Sequence, residues 1–137
     1  MRFLTNAKTL QELDLALLEV ERLGNLSPVS YHAPHAIETS ADSRTDTILA
    51  RAAFVEGRSG IDGSVETPPS IWEQMREHRV PGLQDHSTHN LFPFEGKMRP
   101  QLARALVNIA CGDNGHALVL DPFMGSGTVL LEAYDAP

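Results

Sequence analysis

The string HALVLDPFMGSGTVLLEA, His116 to Ala133, constrains this 137-residue chain more than any other stretch. Ala117-Leu118-Val119-Leu120 is an unbroken apolar run, the pattern of a strand buried on both faces of a parallel sheet. Asp121 and Pro122 end the run, because proline cannot donate to a ladder and aspartate favours turns. Gly125-Ser126-Gly127 supplies two residues free to take positive φ. Thr128 then opens a helix carrying Val129, Leu130, Leu131 and Ala133. Strand, glycine turn and helix in that order place ligand-accessible backbone at the carboxyl edge of an α/β sheet. No Lys follows Gly127, so the turn is not a Walker phosphate loop. Leu130 stands where a dinucleotide fingerprint needs its third Gly or Ala. Asp121 suits a ligand with a positive end.

Upstream of this unit, Pro100 is placed for the first turn of a helix. Leu102, Leu106 and Ile109, with Ala103, Val107 and Ala110 beside them, predict a broad apolar face closed by Gly112, packed beside the strand at Leu118. DPFMGSGTVLLEA resembles the S-adenosylmethionine-binding motif of amino-methyltransferases, which methylate exocyclic nitrogens of nucleic-acid bases. LFPFEGKMRPQLARALVNIA, Leu91 to Ala110, is similar to the segment before that motif in the RNA-methylase family that includes the tRNA guanine-N2 methyltransferases. DNA adenine and cytosine amino-methylases carry the same turn. The resemblance implies that Asp121, Pro122, Phe123, Gly125, Ser126, Gly127 and Thr128 wrap the methionine part of S-adenosylmethionine. It places Phe94, Lys97 and Arg99 across the methionine end as secondary contacts.

The amino-terminal half predicts different pieces. Arg2-Phe3-Leu4 reads as a short strand. Thr9-Leu-Gln-Glu12 is a capping box, and Leu10, Leu13, Leu17 and Val20 recur at helical spacing up to Gly24. The acidic residues Glu12, Asp14, Glu19 and Glu21 are expected on its solvated face. Residues 25–42 read as loop, with a strand at Val29-Ser-Tyr31. A second helix is expected from Thr47 to Glu56, broken by Gly57 and Gly60, with residues 57–69 as a linker. This half loosely resembles the accessory, tRNA-holding region of the same RNA-methylase family. Ser70-Ile-Trp-Glu73 is another capping box, with Trp72 and Met75 placed to pack on a neighbour.

Composition removes several function classes. No apolar run approaches the roughly 20 residues that span a bilayer, and MRFLTNAKTLQELD lacks the core of a signal peptide. One cysteine, Cys111, excludes an internal disulfide framework and suits a reducing cytoplasm. His32 and His35, like His78, His86 and His89, lack the clustering a zinc site needs, so no metal is assigned. The net charge is −7. Residues 1–69 hold six basic and ten acidic side chains, and residues 113–137 hold four acidic and no basic ones. Residues 70–112 hold five basic against four acidic ones. Phosphate contacts need basic clusters, so a substrate nucleic acid is expected to be gripped mostly by something this chain lacks.

Two parts of a base amino-methyltransferase are missing from the sequence. The resembling families polarise the acceptor nitrogen with an Asn- or Asp-Pro-Pro-aromatic turn. Thr67-Pro68-Pro69-Ser70 has the prolines but neither flank, so no catalytic residue is assigned. The second strand, whose terminal acid would hold ribose, is expected roughly 20 residues past the glycine turn. The expected fold is therefore α/β: the start of an incomplete Rossmann-like methyltransferase domain at residues 70–137. A small α/β or mostly helical accessory region precedes it at residues 1–69. The expected function is part of an S-adenosylmethionine-dependent methyltransferase, inactive alone, with tRNA guanine favoured over DNA as substrate. A second chain or a missing carboxyl-terminal part would complete it. The alternative is a non-catalytic cofactor-binding or interaction half.

Overall fold

A computed structural model describes residues 2–26, 29–33, 36–39, 44–59, 65–66 and 96–136. Five short strands form one sheet: β1 (Arg2–Thr5), β2 (Val29–Ala33), β3 (Ala36–Thr39), β4 (Val55–Ser59) and β5 (Val65–Glu66), in spatial order β2-β3-β1-β4-β5. Every described pairing is antiparallel. β1 is central, with Phe3 opposite Ile37 of β3 on one side and Arg58 of β4 on the other. Phe3 and Thr5 are buried while Arg2 and Leu4 are half-buried, the alternation that a sheet covered on one face requires.

Helix α1 (Leu10–Gly24) runs between β1 and β2 and covers that face. Its capping box forms as the sequence predicts: the Thr9 side chain accepts from the Glu12 N–H at 3.2 Å. The Glu12 carboxylate in turn accepts from the Lys8 N–H at 2.7 Å. At the other end two residues share the role of a helix-terminating glycine. Asn25 takes the left-handed conformation, φ 51°. Gly24 is the last helical residue, and a Cβ there would meet Leu26 Cδ1 at 2.6 Å and Ile48 Cδ1 at 3.0 Å.

Helix α2 (Thr45–Arg51) is shorter than the periodicity predicts. The expected continuation to Glu56 fails because Ala53 and Phe54 turn their N–H groups to the Glu19 carboxylate of α1. Val55 then starts β4, so Gly57 lies inside a strand, and residues 57–59 and 65–66 of the expected linker belong to the sheet. β3 likewise occupies part of the expected 25–42 loop. The expected solvated acidic face of α1 also needs correction. Asp14 is exposed, but Glu12 and Glu19 are buried beside Ala16 and Leu23.

Helix α3 (Pro100–Cys111) starts at Pro100 and ends on Gly112, both as read from the sequence. It packs on α1 and on α4 (Thr128–Tyr134), and Ala105 enters the same core as Phe3, Val20 and Phe54. The buried face is rotated from the expected one, keeping Ala103 and Val107 inside but turning Leu106 and Ala110 out. Ala103, Ala105, Val107, Arg104 and Asn108 are buried, whereas Leu106 is exposed and Leu102 and Ile109 are half-buried.

Ala117–Leu120 forms no strand. A parallel strand needs neighbours that donate and accept along its backbone. None pairs with this run among the described residues, and Leu118 is 97% exposed. The Ser70–Glu73 capping box, Trp72, Met75, Thr67-Pro68-Pro69-Ser70, His35, His78, His86, His89 and Leu91 to Phe94 lie outside the described residues, as does the His32 side chain. No described helix is long and apolar enough to cross a membrane.

Candidate functional site

The glycine turn is ordered by its own short hydrogen bonds. Asp121 Oδ1 accepts from the Phe123 N–H at 3.1 Å, an Asx turn that fixes the direction of the carboxylate. Gly127 N–H then donates to the Met124 carbonyl at 2.7 Å. Gly125 and Gly127 take φ of 54° and 76°, a region that residues with a Cβ avoid. Gly127 is the N-cap of α4, and the Leu131 N–H donates to its carbonyl at 2.9 Å. Ser126 Oγ and Thr128 Oγ1 lie 3.0 Å apart in a hydrogen bond, which ties the turn to the first residue of the helix.

The residues assigned from the sequence therefore sit in one continuous loop, at different depths. Thr128 is buried; Asp121, Ser126 and Gly127 are half-buried; Pro122, Phe123 and Gly125 are exposed. Phe94 lies outside the described residues. Lys97 is half-buried, before α3. Arg99, the N-cap of α3, is engaged in the fold, where its guanidinium meets Glu12 Oε1 at 2.8 Å. Burial pushes the Glu12 carboxyl up, but the Lys8 N–H, Arg99 and the Thr9 backbone outweigh it and hold its pKa below the ordinary value.

Does the turn leave room for a ligand such as S-adenosylmethionine? Among the described residues, a Cβ built on Gly127 would have nothing within 4 Å, so none of them fills the space beside it. Asp121, Ser126 and Thr128 are the polar side chains of the turn itself. No group of three or more His, Cys, Asp or Glu side chains able to hold a metal occurs among the described residues.

Behind the turn lies a buried polar cluster that sequence reasoning did not assign. Glu132 of α4 and Arg104 of α3 form a buried ion pair at 2.7 Å. Glu19 of α1 accepts from Ala53 N–H at 3.0 Å, Phe54 N–H at 3.2 Å and Asn108 Nδ2 at 2.8 Å. Asn108 also donates to the Arg51 carbonyl at 2.9 Å. Burial pushes the Glu19 carboxyl up to about 7, against the opposing pull of its hydrogen bonds and of the Arg104 charge. A signal for this cluster was present in the sequence. Glu12, Ala16, Glu19 and Leu23 follow the i, i+4, i+7, i+11 stripe of a buried helix face, and Arg104 and Asn108 are one turn apart.

Residues 89–134, about a third of the chain, match the protein-family model described as RMKL-like, methyltransferase domain. The matched stretch contains α3, the glycine turn and α4. It supports a methyltransferase-family domain in this part of the molecule. No curated protein and no solved structure matches the chain.

Proposed function

We propose that residues 96–136 carry the first cofactor-binding elements of an S-adenosylmethionine-dependent methyltransferase acting on an exocyclic amino nitrogen of a nucleic-acid base. One observation carries the reading. The methyltransferase-domain match coincides with an Asp-Pro-Phe-Met-Gly-Ser-Gly-Thr turn whose two glycines adopt positive φ, with no described residue crowding the second. When bound, S-adenosylmethionine supplies an electrophilic methyl group on a sulfonium. Asp121, its direction set by the Phe123 N–H, would hold the positive end, and Gly125, Ser126, Gly127 and Thr128 would line the methionine moiety. RNA, with tRNA guanine first, is the favoured substrate, from the likeness of Leu91 to Ala110 to the RNA-methylase segment. DNA is the next choice.

The base itself needs an acceptor for its amino proton and a surface on which to stack. The sequence contains no Asn- or Asp-Pro-Pro-aromatic turn. The reading therefore includes a further polypeptide segment, in the same chain or another, that brings that motif. A second reading, a cofactor-binding half completed by a partner chain, draws on the exposure of Leu118, Leu120 and Phe123. Both are tested by titrating S-adenosylmethionine into the chain to millimolar concentration while following the Gly125 and Gly127 amide resonances. Saturable shifts are expected, and Asp121→Ala and Gly127→Val are each expected to weaken binding at least tenfold, about 1.4 kcal/mol. No shift in the wild-type chain, or equal affinity in both folded variants, would remove the cofactor from this turn.

A further inference from the structure

Helix α4 is docked in an unusual way for so short an element. It has seven residues, too few to hold itself in water. Its fully buried side chains are Thr128 and Glu132, both polar; Val129, Leu130 and Leu131 are only half-buried. What fixes its direction is then polar contact. Arg104 of α3 reaches it at two separated points: Nε donates to Glu132 Oε2 at 2.7 Å, and Nη1 donates to the Asp135 carbonyl just past the helix end, at 3.2 Å. Two bonds from one planar guanidinium define an orientation, where a single point charge would define only a distance.

Helix α3, which carries Arg104, is itself packed on α1 from the other side. Glu19 of α1 binds the Ala53 and Phe54 N–H groups where α2 gives way to β4. Asn108, one turn beyond Arg104 on α3, ties Glu19 to the Arg51 carbonyl. Through α3, then, buried polar contacts reach both the amino-terminal sheet unit, by Asn108, and the helix that begins at the glycine turn, by Arg104. Low local polarity strengthens each of these bonds.

We propose that Arg104 is a positioning residue for the glycine turn: through Glu132 and the Asp135 carbonyl it sets where α4, and with it Gly125 to Thr128, sits on the amino-terminal unit. The inference rests on the reading of that turn as the S-adenosylmethionine site, and gives the amino-terminal unit a part in that site. Residue order alone reads Glu132 as helix surface or packing with little weight in cofactor binding; its bond to Arg104 gives it that weight.

The test uses the full chain and two variants. Arg104→Lys keeps the charge and loses the fork; Glu132→Gln keeps an acceptor and loses the charge, and serves if the lysine variant does not fold. Amide hydrogen exchange is read at Leu131 and Asp135, whose N–H groups donate to the Gly127 and Leu131 carbonyls. Phe3 and Ile37 in the sheet are the reference. Exchange at Leu131 and Asp135 is expected to rise at least tenfold while the sheet amides stay within twofold. S-adenosylmethionine affinity is expected to fall at least fivefold. Unchanged exchange in α4, a parallel rise in the sheet, or selective loosening of α4 with undiminished affinity would each overturn the proposal. If the wild-type chain shows no S-adenosylmethionine response, the cofactor reading falls, while selective loosening of α4 still assigns Arg104 the placement of the turn.

Discussion

Two four-residue stretches meet opposite fates in this molecule. Phe3-Leu4, inside Arg2–Thr5, becomes the central strand of a sheet, with Phe3 1% exposed. Ala117–Leu120, the more apolar of the two, stays outside any ladder with Leu118 97% exposed. Hydrophobicity does not separate them; partners do. β1 has β3 and β4 on its two edges and α1 over its face. A strand is a property of a pair of backbones, and the apolar pattern only says which face the pair would bury.

The comparison can be broken most directly by truncation. Phe3→Ala is expected to destabilise by about 4 kcal/mol, the range for emptying a buried aromatic site. Leu118→Ala is expected to stay within about 0.5 kcal/mol. Urea denaturation of the two variants measures the contrast, and a large loss at Leu118 would show that the run is packed after all. The junction between the regions comes next. Glu132→Ala leaves Arg104 buried without that carboxylate, and a loss of about 3 kcal/mol is expected. The double change Arg104→Met with Glu132→Leu is expected to recover most of it, since a buried pair can be exchanged for apolar volume. A double variant as weak as the single one would mean that packing, not charge, decides this contact.

Proton linkage sharpens the same junction. Glu19 faces Arg104 and Asn108 of α3 and the Ala53 and Phe54 N–H groups, and burial raises its pKa from 4.5 to about 7. A carboxyl that binds its proton more tightly in the folded chain contributes stability that is full below pH 4.5. That stability is lost as pH rises through about 7. The decline between those limits is expected to reach about 3 kcal/mol, and Glu19→Gln is expected to flatten it. Stability curves at pH 5, 6, 7 and 8 check the sign; a rise over this window would place the ionised carboxylate in the favoured state. The smallest effect belongs to the turn. Gly127→Ala meets no described neighbour but keeps a φ of 76°, so a loss of about 1 kcal/mol is expected from backbone strain. The same urea titrations read it, and a loss as large as that of Glu132→Ala would mean that the turn is packed rather than open.

Local chemistry was legible wherever neighbours in sequence settle it. The Thr9 cap, the Pro100 start, the Gly112 end and the positive φ at Gly125 and Gly127 are all dictated within one turn of chain. Most of the candidate site belongs to this class, because a glycine turn is built from consecutive residues. The misread parts all depend on distant groups. Helix α2 stops at Arg51 because Glu19 takes the next two free N–H groups. Helix α3 turns Leu106 outward because Arg104 and Asn108 are needed inward for Glu132 and Glu19.

Residue order was enough to set the caps, the turn and its Asp121-to-Thr128 rim, the strands at β1 and β2, and the family likeness of residues 89–134. The interior position of four polar side chains, Glu19, Arg104, Asn108 and Glu132, came only with the assembled fold. Such groups are buried only when each finds a partner, since an unpaired charge in the interior is prohibitive. Their partners lie 28 to 89 residues away along the chain, so the pairing that makes their burial possible exists only once α1, α3 and α4 have met.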